Sequence, residues 1–208
     1  MASWTKPLLR RHLTRLLIAL TLSISSGLTL ADSAGLNLTT SGPAIHYTRP
    51  NIDYPQPWVQ WLGLHQQRLE ALSSQQSAGR HLLLSATLEL SKYSQQLPLA
   101  TLTPTLRLIG ANIFSHRMVA VAAGGTYRLA KSELKYLPAD LLFDAYFSPK
   151  LTTFGRANYL WGATLQLNIS LPQNNELNIG YRTTKSSLDK EGRKLIAQGL
   201  FLGITTLF

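Results

Sequence analysis

Residues 157–171 alternate between apolar and polar side chains along their whole length. The odd-numbered positions from Ala157 to Leu171 are all apolar or aromatic, whereas Leu160 is the single apolar residue among the even-numbered positions between them. A period of two places the two sets on opposite faces of a β-strand, while a helix would scatter both sets around its circumference. The pattern therefore predicts a strand with one apolar and one polar face.

The same alternation recurs along the chain. It is clear at 82–91, 141–147, 177–184 and 200–208, and weaker near 35–48, 58–69, 104–113 and 118–128. Turn-forming stretches separate these segments, and nine strands with short connections predict an antiparallel all-β meander. A transmembrane up-and-down barrel with both termini at one end needs an even number of strands, so we expect eight or ten. The count becomes ten if 35–48 divides at Ser41-Gly42-Pro43, and eight if one weak segment is not a strand.

The alternation does not say which face is the interior. A soluble barrel or sandwich buries its apolar face, whereas a membrane barrel turns that face towards lipid. From Tyr159 to Ile169 a tilted strand spans roughly 23 Å, close to the ~25 Å apolar band of outer-membrane barrels. Tyr159, Trp161 and Tyr181 are predicted to form an aromatic girdle at the edge of this band. We therefore expect a transmembrane β-barrel.

The first 31 residues differ from the rest of the chain. Lys6, Arg10, Arg11 and Arg15 precede an apolar stretch, and Thr29-Leu30-Ala31 ends it with small residues at two of three positions. This order is typical of a secretory signal peptide. We expect residues 1–31 to be cleaved, residues 32–208 to form the barrel, and the bacterial outer membrane to be its location. An uncleaved anchor helix and a mitochondrial presequence are the alternatives.

The C-terminus ends in the middle of a strand pattern. Leu200, Leu202, Ile204 and Phe208 lie on one face, with Gly203 between them. A terminal hydrophobic strand ending in Phe resembles the signal that the barrel-assembly machinery recognises in outer-membrane proteins. Gly203 and Phe208 are therefore predicted to belong to an assembly signal, although Thr206 and Phe201 depart from the usual pattern.

Three short motifs resemble the YfaZ family of outer-membrane proteins. They are the Ser148-Pro149 break after Asp144-Ala145-Tyr146-Phe147, the Gly180-Tyr181-Arg182 triplet, and the ending from Gly199 to Phe208. The resemblance covers roughly residues 140–208, and before that only the rhythm of strands is shared. It implies a small outer-membrane barrel, sometimes called porin-like, and it supplies no catalytic residues.

Composition and charge limit the kinds of site and of binding partner that the chain can have. The chain has no cysteine, which excludes disulfides, thiolate metal sites and cysteine nucleophiles. Its net charge is +10, and removal of residues 1–31 leaves 16 basic against 10 acidic side chains, or +6. We expect basic connections, above all Lys185 to Lys194, to face outer-membrane lipid and lipopolysaccharide. The export signal, with no basic run or phosphate-binding loop, argues against nucleic acid.

Four charged residues are predicted on polar strand faces, namely Arg182, Asp144, Glu89 and Arg107. They either line an ion-selective pore or form an internal ion-pair network that fills a closed barrel. The histidines show no spacing typical of a metal site, and no local pattern fixes a Ser–His–acid triad. We therefore expect neither enzyme activity nor a cofactor. A barrel enzyme acting on lipid or lipopolysaccharide, and a secreted soluble barrel carrying an apolar ligand, remain the alternatives.

Overall fold

The computed structural model describes residues 32–50, 64–76, 79–97, 100–113, 116–129, 139–188 and 192–208. The predicted signal peptide, residues 1–31, lies outside these ranges. Two short 3-10 helices, Ser91–Tyr93 and Lys150–Thr152, accompany twelve strands. The strands are β1 Ser33–Thr39, β2 Gly42–Pro50, β3 Leu64–Gln76, β4 Gly79–Leu90, β5 Gln95–Leu97, β6 Ala100–Ile113, β7 His116–Leu129, β8 Ala139–Ser148, β9 Thr153–Phe154, β10 Ala157–Leu171, β11 Asn175–Leu188 and β12 Gly192–Leu207.

Ten of these strands close into an antiparallel barrel. Their order is β1-β2-β3-β4-β6-β7-β8-β10-β11-β12, and β12 pairs again with β1. The short strands β5 and β9 pair with β6 and β7 beside the barrel wall. The predicted all-β barrel of eight or ten strands is confirmed, with ten.

The tenth strand comes from the division of residues 35–48. β1 ends at Thr39 and β2 begins at Gly42, so the turn lies within the predicted break. Gly42 has φ of 144°, and a Cβ there would collide with the carbonyl oxygen of Ser73. Glycine is therefore required where this turn passes close to β3.

The strands are tilted. A row of paired residues from Leu202 reaches β7 at Leu129 through β11, β10 and β8. Followed in the other direction through β1, β2, β3, β4 and β6, the row from Leu202 reaches β7 at Arg117, when the β2–β3 register is extended by one residue. Leu129 and Arg117 are twelve residues apart on β7. This shear of twelve residues in a barrel of ten strands corresponds to a strand tilt of about 42°.

The two ends of the barrel differ. The terminal end, as we call it, carries Ser33 and Leu207 together with the connections 51–63, 91–99, 130–138 and 172–174. The distal end carries the shorter connections 40–41, 77–78, 114–115 and 189–191, and the longer 149–156. The prediction that Lys185 to Lys194 form a charged loop is wrong, because β11 continues to Leu188 and β12 begins at Gly192.

The wall is incomplete towards the distal end. The hairpin of β1 and β2 reaches only the level of Leu200, whose carbonyl accepts a hydrogen bond from the Thr40 amide. On the other side of the hairpin, the Gln75 amide of β3 donates to the Ser41 carbonyl at 2.6 Å. Beyond this turn, within the described residues, Gly192–Gly199 of β12 pair with β11, Gln76 of β3 pairs with β4, and no backbone ladder joins β12 to β3. The distal part of the barrel thus has a notch between β12 and β3.

The outer face of the barrel is apolar. Large hydrophobic side chains are exposed at alternating positions around it, among them Leu36, Ile45, Leu84, Phe143, Leu165, Ile179 and Leu202. The intervening positions are buried, and many of them are polar, as with Asn37, Ser85, Asp144, Gln166 and Asn178. The apolar face, whose direction the alternation did not decide, therefore points outwards. Within the described residues, no helix is both long and apolar enough to cross a membrane.

Candidate functional site

A buried ion pair joins β6 and β8 over the inner face of β7. The Arg107 guanidinium donates to Asp144 at 2.7 Å, and the two side chains are only 7% and 5% exposed. Thr126, on the intervening strand β7, donates a 3.4 Å hydrogen bond to the other carboxylate oxygen. The Arg107 guanidinium also lies 4.2 Å from the ring centre of Tyr146. The structure thus brings together two of the four predicted lumen charges.

A second ion pair joins β11 to β3 across the barrel. The Arg182 guanidinium lies 2.5 Å from the Glu70 carboxylate, and both side chains are 12% exposed. Arg182 also lies 5.6 Å from the ring centre of Phe201. Sequence reasoning identified Arg182 but missed Glu70. The one signal for Glu70 is that a buried arginine requires a carboxylate, since an unpaired buried charge is costly.

Hydroxyl and amide groups fill the lumen nearer the terminal end. The Asn178 amide donates to Thr205 at 2.6 Å, and His46 lies 3.0 Å from the same hydroxyl. The Gln166 amide donates to Asn168 at 2.5 Å and to Asn178 at 3.5 Å. These contacts link β2, β10, β11 and β12 through side chains as well as through the backbone.

The distal half of the lumen is filled by apolar side chains. We call this group the distal cluster; its largest aliphatic and thioether members are Leu72, Leu83, Ile109, Ile113, Met118, Leu160, Leu188 and Ile196. Ile109, Ile113, Leu160 and Ile196 are fully buried. Apolar packing of this kind excludes water. Arg107 and Asp144 pair with each other and Arg182 pairs with Glu70, and these are the contacts that the internal-network alternative expects.

A polar cavity of about 310 Å³ opens at the terminal end, and we call it the vestibule. Its described lining contains no apolar side chain and consists of Gln66, Glu89, Ser94, Gln96, Thr101, Thr103, Thr126 and Arg128. Gln96 and Arg128 are exposed, whereas Glu89 and Thr126 are buried. Glu89, the fourth predicted lumen charge, therefore lies apart from the two ion pairs.

A second concave feature is a groove of about 870 Å³. Leu36, Ile45, Leu84, Leu108 and Ile204 contribute apolar side chains to it from the outer face, and His46, Glu70 and Ser85 also belong to its lining. The vestibule is smaller, but it is the candidate site for specific chemistry because its polar groups converge.

The predicted girdle is only partly brought together. Tyr159 and Trp161 lie near the start of β10, and the Lys185 ammonium lies 5.5 Å from the Trp161 ring centre. Trp161 pairs with Lys185 of β11, whereas Tyr181 lies four residues earlier on that strand and pairs with Leu165. Its expected place at the same height as Trp161 is therefore corrected. Phe147, at 6.3 Å from Tyr159, takes that place.

The predicted assembly residues lie at the terminal end. Phe208 is half-exposed, and its amide donates to the Asp32 carbonyl at 2.8 Å. Gly203 faces inwards, where a Cβ would collide with Asn37. Close packing against β1 therefore explains why residue 203 is a glycine. The role of Gly203 in assembly stays a prediction.

Two of the described histidines contact polar side chains of other strands or connections. His46 contacts Thr205, and the His116 ring lies 3.4 Å from the Arg156 guanidinium. Among the described residues, no three His, Asp or Glu side chains cluster as metal ligands would.

Comparison with protein-family models, curated proteins and solved structures finds no match to this chain. The chemistry of its two faces and of its lumen therefore carries the functional argument. The resemblance to the YfaZ family stays a prediction.

Proposed function

We propose that this protein is an integral β-barrel of the bacterial outer membrane with a closed lumen and a structural role. The observation that carries the proposal is the apolar outer face. A soluble barrel would expose leucine, isoleucine and phenylalanine to water all round its wall, whereas lipid removes that cost.

The dimensions of the apolar belt support a membrane location. On β10 the outward positions from Trp161 to Leu171 rise about 25 Å at the tilt derived above, which equals the apolar band of outer-membrane barrels. Towards the distal end the outward residues become polar, as with Asn112, Arg117 and Gln198. Lys185 over Trp161 has the amphipathic character of an interfacial anchor. The notch between β12 and β3 lies in this polar part, where water can satisfy its backbone groups.

The packed lumen favours a structural role over solute passage. The distal cluster contains fully buried aliphatic side chains, and the mid-lumen charges pair with each other instead of facing water. A porin needs a continuous wet path, which such packing interrupts. The alternative of a soluble carrier is less favoured, because the vestibule is polar where an apolar ligand would require an apolar cavity.

The proposed orientation places the terminal end in the periplasm, with Phe208 presented to the barrel-assembly machinery during insertion. The distal end then faces lipopolysaccharide. Lys150, Lys185 and Arg193 belong to this end and can pair with its phosphates. Lys190, also expected to contribute, lies outside the described residues.

Reconstitution tests the proposal in two steps. The purified chain is incorporated into phospholipid vesicles, floated on a density gradient and washed with urea. We expect it to remain with the lipid; release into the wash contradicts the membrane location. Protein shown to be inserted is then added to planar bilayers, where we expect no conductance steps. Reproducible steps contradict the closed lumen and favour a pore.

A further inference from the structure

We propose that the vestibule is a binding site for a small solute that carries a primary ammonium group, held by the carboxylate of Glu89. The inference goes beyond the structural role proposed above, because it concerns recognition of a ligand. It rests on the burial of Glu89, on the lining of the cavity and on the charges at the terminal end.

Glu89 differs from the other buried carboxylates of the lumen. Its side chain faces the vestibule from β4, and the residue is 8% exposed. Asp144 and Glu70 each pair with an arginine, but Glu89 has no hydrogen bond or ion pair with any other described residue. The carboxylate oxygens of Glu89 are not among the fully buried polar atoms, so they reach the vestibule although most of the residue is buried. A ligand cation in the vestibule can therefore contact a carboxylate that no other described residue occupies.

The lining defines the chemistry of the ligand. Besides Glu89 and Arg128, its described lining offers hydroxyl and amide side chains, which favour a polar ligand. A volume of about 310 Å³ lies at the lower end of the range for small-molecule sites. The ligand is therefore small and polar, and its ammonium is the group that Glu89 selects.

The wider field at the terminal end also favours a cation. Asp140 and Glu176 occupy inward positions of β8 and β11 near this end. With Glu89 they place three carboxylates near the terminal end, where Arg128 and Lys92 are the neighbouring basic side chains. A cation that enters there has acidic groups to approach. Arg128 can additionally hold a carboxylate, so both an amino acid and a diamine fit the site.

The floor of the vestibule makes it a pocket and not a passage. Thr126 lines the cavity and also donates to Asp144, the partner of Arg107. The buried ion pair therefore lies directly behind the cavity. A ligand that enters from the terminal end meets this closed layer, so the site binds a solute and does not conduct it.

Calorimetric titration of the purified chain in nonionic detergent tests the site with three four-carbon probes. Putrescine is a diamine, 4-aminobutyrate is a zwitterion, and butyrate lacks the ammonium. We expect at least one of the two amines to bind in the millimolar range or tighter, and butyrate not to bind. Failure of both amines, or equal binding of butyrate, overturns the proposal.

Variants locate the interaction. Glu89→Gln should weaken amine binding by at least tenfold, whereas Arg80→Gln, at the exposed start of β4 at the opposite end, should leave it unchanged. If the natural ligand class is a zwitterion, Arg128→Gln weakens 4-aminobutyrate but not putrescine. Unchanged binding by Glu89→Gln overturns the assignment of this residue.

Denaturation provides a second measurement. Removing a carboxylate that has no partner among the described residues should leave the unfolding midpoint of Glu89→Gln equal to or above that of the wild type. A lower midpoint shows that Glu89 has a structural partner within the protein, which overturns the proposal. The titration needs no lipid bilayer, so its result is separate from that of the vesicle experiment.

Discussion

The ion pair of Arg107 and Asp144 provides a direct measure of whether the lumen is closed. Arg107→Met removes the guanidinium while keeping much of its volume, and it leaves the Asp144 carboxylate with a hydrogen bond from the Thr126 hydroxyl. Asp144→Asn performs the converse change and leaves the guanidinium buried beside the Tyr146 ring. Each single variant therefore strands one charge in the lumen.

The magnitude follows from the burial of the pair. At 7% and 5% exposure, neither side chain can be hydrated without opening the barrel. Removing one partner of a buried pair typically costs about 3–5 kcal/mol of unfolding free energy, whereas an exposed pair contributes about 0–1 kcal/mol. We expect each single variant in the first range. The double variant should cost less than the sum of the two, because it strands no charge.

The wild type, the two single variants and the double variant form a double-mutant cycle. Their unfolding free energies are measured by urea titration in vesicles or detergent, with the folded fraction followed by tryptophan fluorescence. Lys185→Met is the control, since it removes a cation from the outer rim and should cost less than about 1 kcal/mol. If Arg107→Met and Asp144→Asn each cost as little as this control, water reaches the pair. The lumen is then wet, and the closed barrel argued above is refuted.

Further predictions concern the outer face and the packing of the lumen. Leu165→Arg, at a half-exposed outward position, should cost about 2–4 kcal/mol of folding free energy in vesicles, while Gln198→Arg above the apolar belt should cost about 0–1 kcal/mol. Equal folding of both variants, measured by protease protection, would contradict burial of this face in lipid. Gly162→Ala should destabilise the barrel by about 1–3 kcal/mol in urea titrations, because its Cβ would lie 2.5 Å from the Tyr146 hydroxyl. Gly110→Ala, with no atom within 4 Å of its Cβ, should leave the midpoint unchanged or raised, and an equal loss in both variants would argue against the Tyr146 contact.

Strand identity was accessible from the sequence because it depends on local geometry. Alternation along 157–171 marks both faces of β10, and the weaker pattern in 35–48 contains the break that separates β1 from β2. The span from Lys185 to Lys194 was misassigned for a physical reason. β11 and β12 extend past the apolar belt, and strand residues there are polar on their outer face, so they resemble a loop.

The tertiary structure decided everything that depends on closure. The pairing of β12 with β1 is what makes the apolar face the outside of a barrel, since the same alternating strands can also be folded with that face inwards. Closure also brings Glu70 to Arg182 from opposite sides of the lumen, although 112 residues separate them in the chain. Period-two patterns encode which face a side chain occupies but not what lies across from it. The distal cluster, the ion pairs and the unpartnered Glu89 therefore emerge only when ten strands enclose a common interior.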